Sequence, residues 1–184
     1  MTLAIKDNPP SKTFSCSVSE KCGTWWVANV KSKHEKSFAF DLIDMQIDYY
    51  LPYVEKKTLR SDGKTRKSYL ILFPSYVPFI ADNPYKVLKT QRVLSILPVV
   101  AQSTFRNQLE CISKVTTSGI NILPTEINHR FQNDDIVVIT CGQFKGLEGK
   151  IVDIKNERYL LFPVESMGCA MVCVSNDHVA LLQS

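Results

Sequence analysis

The sequence predicts an α+β protein in two parts, an α/β sandwich with an antiparallel sheet followed by a small all-β module. Three observations carry this. Strand-like and helical patterns alternate through the first half, with a hairpin signal in the middle. Periodicity lapses between Thr116 and Asn128, where Gly119 and Pro124 interrupt the chain. From Phe131 onward only β-branched runs and turn residues follow. The expected organisation is a flexible leader at 1–23, the sandwich at 24–116, a linker at 117–129 and the β module at 130–184.

The leader carries Pro9-Pro10 and scattered Ser and Lys without periodicity. Trp25 to Val30 reads as a strand. Ser32-Lys33-His34-Glu35 has the form of a capping box, Ser accepting an amide while Glu reaches back. Phe38, Leu42 and Met45 then stand at i, i+4 and i+7, an amphipathic helix of about four turns over 33–47. It ends near Tyr50, because Pro52 disfavours helical geometry in the residue before it. Tyr49 to Leu59 is strand-like, Ser61-Asp62-Gly63-Lys64 is a hairpin turn, and a return strand runs from Arg66 to Phe73. Tyr76 to Ile80 continues the sheet. Asp82-Asn83-Pro84 caps a short helix over Tyr85 to Lys89, Val93 to Val100 is a further strand, and Phe105, Leu109 and Ile112 mark a closing helix.

In the second part, Ile136 to Thr140 and Lys150 to Ile154 flank Phe144-Lys145-Gly146-Leu147-Glu148-Gly149. Gly142, Gly146 and Gly149 punctuate the joint, where φ > 0 or a close backbone approach suits a residue without Cβ. A barrel of about 55 residues buries only roughly 60% of its unfolded surface, which suffices without disulfides.

Composition bounds the function. The chain is 45% apolar, and no stretch reaches the ~18–20 apolar residues that span a bilayer. Met1 to Ser15 lacks an apolar core followed by small cleavage residues, so a cytoplasmic location is expected. Among six cysteines there is no CxxC pair, and His34, His129 and His178 do not fall at zinc spacing from them. Cys169 and Cys173 lie four apart in a strand and share a face, as reduced structural thiols would. Charge is uneven. Residues 24–116 hold fourteen Lys and Arg against eight Asp and Glu, whereas residues 117–184 hold five against eight. The split is compatible with one half facing nucleic acid, ordinary solvated charge being the other reading. No nucleophile, base and orienter form a recognised arrangement, no phosphate-cradling loop precedes a helix, and Asp134-Asp135 reads as turn chemistry. A thiol enzyme using Cys22 or Cys141 is a distant alternative. No metal or cofactor is expected.

Taken in order, these segments resemble the NusG family of transcription elongation factors, an NGN domain tethered to an SH3-like KOW β-barrel. Trp25-Trp26-Val27 is similar to the aromatic first NGN strand, and Leu72-Phe73-Pro74-Ser75-Tyr76 to the family's Phe-Pro-Gly-Tyr segment. The capped helix, Tyr50-Leu51-Pro52 with its basic hairpin, and Arg92-Val93 match in turn, and residues 131–182 resemble KOW throughout. Ser75 departs from the usual glycine. With the leader and the cysteines, it inclines the resemblance towards an operon-specific, RfaH-like paralogue. The β-branched runs and glycines argue for a barrel in the resting state, with no switch to a helical form.

The resemblance implies a non-enzymatic factor, monomeric and without a membrane. Trp25, Phe73, Pro74 and Tyr76 would grip the clamp helices of RNA polymerase β′, with core packing as the other reading. Lys31, Lys33, His34 and Lys36 cluster at the start of the first helix and, with Lys89 and Arg92, would face upstream or non-template DNA. Lys56, Lys57, Arg60, Lys64, Arg66 and Lys67 make the hairpin a second basic patch, either a solvated loop or a contact with upstream DNA. Phe144, Leu147 and Met167 would hold Rho or a small-subunit ribosomal protein, or else plug the barrel. The alternatives are a general housekeeping factor acting with Rho and a ribosome-associated RNA-binding KOW protein. The second predicts a basic barrel, and this one sums to −3 (five Lys and Arg against eight Asp and Glu).

Overall fold

The computed structural model describes residues 8–59, 63–117, 122–124, 136–139, 148–154, 157–173 and 179–181. The front half is built on β1 (Trp25–Val30), which lies antiparallel between β4 (Tyr76–Ile80) and β5 (Val93–Pro98). Alternation along β1 decides the layers. Trp25 and Val27 face one side and join the core containing Phe105, Leu109 and Ile112 of helix α2 (Gln102–Thr117). Ala28 and Val30 face the other and join Phe38 and Leu42 of helix α1 (Glu35–Asp44). The result is a sheet covered by a helix on each face. In α2 the buried residues Phe105, Leu109, Ile112 and Val115 keep the helical spacing read from the sequence, each stabilising by roughly 1.5–3 kcal/mol.

Strands β2 (Tyr53–Leu59) and β3 (Thr65–Ile71) form the expected hairpin as a separate two-stranded ribbon. A 3-10 helix covers Pro84–Thr90, with the Asn83 side chain accepting from the Tyr85 amide at 3.1 Å, as Asp82-Asn83-Pro84 foretold. The rear half is one antiparallel sheet ordered β11-β7-β8-β9-β10-β6. Its strands are β6 (Ile122–Pro124), β7 (Ile136–Ile139), β8 (Glu148–Ile154), β9 (Glu157–Val164), β10 (Gly168–Cys173) and β11 (Val179–Leu181). Gly149 shows the close approach expected of it, since a Cβ there would stand 2.2 Å from the Leu161 carbonyl oxygen.

Three expectations are corrected. Asn8 to Gly23, expected to be a flexible leader, is laced onto the sandwich. Ser11 exchanges hydrogen bonds with Leu51 at 2.6 and 3.0 Å, the Tyr49 hydroxyl donates to the Pro10 carbonyl, and Phe14 and Val18 enter the core. Helix α1 is shorter than the pattern suggested, and the capping box does not form. Lys33 takes a left-handed φ of 65°, so the helix starts at Glu35 behind His34, and Gln46 at φ 56° closes it. Finally, residues 122–124 of the expected linker pair with β10 as an edge strand.

Candidate functional site

The Phe73-Pro74-Ser75-Tyr76 segment is a tight turn leading into β4. The Tyr76 amide donates to the Phe73 carbonyl at 3.2 Å, with proline second and a left-handed residue, Ser75 at φ 69°, third. That position prefers glycine, which explains why Ser75 looked out of place. Two anchors hold the turn. The Val30 amide donates to the Ser75 carbonyl at 2.7 Å, and the Ser75 amide donates to the Glu35 carboxylate at 2.8 Å. Glu35, read as half of a capping box, is buried and serves the turn from the first turn of α1. Its role spans forty residues, and no local pattern could have shown it.

The four aromatic-surface candidates separate. Pro74 is exposed and Tyr76 half-buried beside the core, whereas Phe73 is only 2% exposed and Trp25 fully buried. Trp25 is therefore corrected from surface to core. Its ring meets Phe14 edge-on at 6.2 Å and Phe105 at 6.1 Å, and Gln102 binds both its amide and its carbonyl. Phe73 is buried in the same cluster. Trp26 is half-buried and donates its indole N–H to the Ala81 carbonyl at 3.0 Å.

The basic candidates gather more closely. The Lys31 amide donates to the Arg92 carbonyl at 2.9 Å, joining the start of α1 to the start of β5. Lys31, Lys33, His34 and Lys89 are exposed. Arg92 is committed, with Nε 2.6 Å from Asp41 and one terminal nitrogen 3.1 Å from His34 Nδ1. Lys36 donates to Asn8 at 2.6 Å and lies over the Tyr53 ring. Lys31, Lys33 and Lys89 thus remain as the outward charge with His34 exposed beside them, and Arg92 and Lys36 are structural ties. On the hairpin, Leu59, Tyr69 and Leu70 are exposed.

Of the rear-module candidates, Phe144 and Leu147 lie outside the described residues. Met167 sits in the turn between β9 and β10 and is 3% exposed. Sequence reasoning missed its neighbour Glu165, whose carboxylate accepts from the amides of Val100 and Ala101 at the head of α2. It also missed Gln108, which bonds the same turn from α2. Among the described residues no three metal-type donors converge. The Cys111 and Cys169 thiols are pushed up by burial and stay protonated near neutrality.

A two-helix antiparallel sandwich followed by an antiparallel sheet is compatible with an NGN-type architecture. The family model NusG, described as transcription termination factor nusG, matches residues 23–114, half of the chain. The protein therefore belongs to the NusG family. No curated protein matches it. Ten solved chains do, among them one from a crystal structure of the MjSpt4:Spt5 complex in conformation B. That chain is 16% identical, and the match covers 87% of this protein and 97% of that chain with a TM-score of 0.28.

Proposed function

We propose that the protein is a cytoplasmic transcription elongation and antitermination factor, without chemistry of its own, that docks on the clamp helices of RNA polymerase β′. The observation that carries this is the turn at Phe73-Pro74-Ser75-Tyr76. It is pinned from two sides and offers Pro74 and one edge of Tyr76 to a partner. An anchored proline and an amphipathic aromatic lose little conformational freedom on docking, which suits a hot spot. Lys31, Lys33, His34 and Lys89 would lie along upstream or non-template DNA. The rear sheet would be a KOW barrel that recruits Rho or a small-subunit ribosomal protein. Ser75 in a position that favours glycine supports an operon-specific paralogue acting on a limited set of long operons.

The test is comigration of the purified chain with core RNA polymerase at low salt. Tyr76→Ala should weaken binding at least about tenfold, or ~1.4 kcal/mol, while the fold survives. Unchanged affinity removes Tyr76 from the interface, and failure of the wild type to comigrate removes polymerase docking altogether. Cosedimentation with ribosomes instead would favour the RNA-binding alternative. Occupancy along the genome separates a few loci from uniform coverage.

A further inference from the structure

We propose that the protein pairs with a second copy of itself, the outer edges of β5 joining the two front sheets antiparallel about Ile96. The inference goes beyond the docking reading above and does not depend on it. One edge of the front sheet is closed by the chain's own residues. The Tyr50 amide donates to the Pro78 carbonyl and the Ile80 amide to the Asp48 carbonyl, both on the outer side of β4. Lys12 of the leader bridges to Tyr50 in turn. These bonds also fix which groups of the other strands face outward, because hydrogen-bonding direction alternates along an antiparallel strand. Pro78 and Ile80 turn away from β1, so Val77 and Phe79 turn towards it and take Ala28 and Trp26. Val27 and Asn29 are left for β5, where they meet Leu97 and Ser95. The backbone N–H and C=O of Ile96 therefore point away from the sheet. Pro98 points the same way, and its carbonyl accepts from the Ser166 hydroxyl at 3.1 Å. Among the described residues the Ile96 groups have no such partner.

An unpaired edge is a template for another strand, and charged side chains are the usual guard against it. Val93 to Pro98 carries no charge. The register shift opposite Asn29 and Val30, with the missing N–H of Pro98, limits pairing to the stretch around Ile96. Such a short seam suits a weak, reversible pair. A second copy fits it best. About a twofold axis at Ile96, each Ile96 N–H donates to the Ile96 carbonyl of the other copy, so both outward groups are satisfied at once. The same axis lays the start of one β5 beside the end of the other. Exposed Lys89, just ahead of the strand, is thereby brought towards Glu165 of the second copy, whose carboxylate sits at Val100 and Ala101 just beyond it. Exposed Leu94 is likewise drawn towards Pro98 and Val100 of the second copy. The monomer that the resemblance implies is then the dilute form.

The experiment is sedimentation velocity of the full chain from about 1 to 300 μM, with amide hydrogen exchange at both ends of that range. Expected is a mass rising from one chain towards two. Exchange in a peptide spanning 93–98 should slow at least about threefold at the high end, with a peptide spanning 76–80 unchanged. Leu94→Lys puts a charge on the edge, and Lys89→Glu sets like charge against Glu165 of the second copy. Both positions are exposed, so the fold survives, as an unchanged Tm would show. Each variant should weaken pairing at least about tenfold. A wild type that stays single throughout overturns the proposal. So does a dimer that Leu94→Lys leaves as tight as before, because it would use another face. A dimer lost in Leu94→Lys but unmoved by Lys89→Glu overturns the antiparallel arrangement.

Discussion

Ser75 shows what one side chain costs in a fixed backbone. Its φ of 69° is imposed by the turn and by the anchors on its amide and carbonyl, and a Cβ raises the energy of that conformation. Ser75→Gly should stabilise the protein by about 1 kcal/mol. For a chain of this length that is a rise of roughly 2–4 °C in Tm, read by calorimetry. A fall in Tm would mean that the hydroxyl contributes more than the backbone strain removes. Residue identity was legible where the constraint was local. Gly149 was expected to permit a close approach, and the Leu161 carbonyl supplies it. Glu35 and Glu165 were not legible, because each serves an amide 40 or more residues away and no spacing rule reaches that far.

The leader teaches the same lesson at the scale of elements. Strands and helices announced themselves by repetition, as in the spacing of Phe105, Leu109 and Ile112. The leader has no repeat, since it is held by single residues: Phe14 beside Trp25, Val18 in the core, and Asp48 as a common acceptor. Asp48 takes a hydrogen bond from Thr13 at 2.7 Å and an ion pair from Lys21 at 2.7 Å. Burial pushes the Asp48 carboxyl up, but the bonds from Lys21 and Thr13 outweigh it and leave it below the ordinary value. The hydrogen bond to Asp48 raises Lys21 against a smaller cost of burial. The stabilisation from Asp48 is therefore present above the ordinary carboxylate range and is lost as pH falls through its depressed folded value. As the pH falls below the ordinary aspartate value the leader should become progressively cleavable by an acid-active protease while the core stays intact. Asp48→Asn should bring the same cleavage at neutral pH. A leader equally resistant in both chains would show that Phe14, Val18 and the Ser11 and Pro10 hydrogen bonds hold it without Asp48.

For the whole molecule, the change from mixed helices and strands to strands alone was readable because composition and periodicity change together after Thr116. The joint between them was not. Helix α2 continues to Thr117 and residues 122–124 become an edge strand, so part of the anticipated spacer is secondary structure. Backbone pairing recruited those residues to a free edge of β10, a demand that only the folded sheet creates. The same holds for Phe73 and Trp25, whose rings read equally well as surface or core until α2 and the leader were seen to cover them.

The stretch from Asn8 to Gly23 changes how the protein should be dissected. The boundary drawn by family similarity falls at residue 23, past both Phe14 and Val18. A fragment begun there would leave Trp25 with one ring neighbour instead of two. Two buried apolar side chains would go, making residues 23–184 roughly 3–6 kcal/mol less stable than the full chain to urea. If the midpoints coincide, the leader adds nothing. If they part as expected, the piece that carries the full stability is larger than the piece recognisable by kinship.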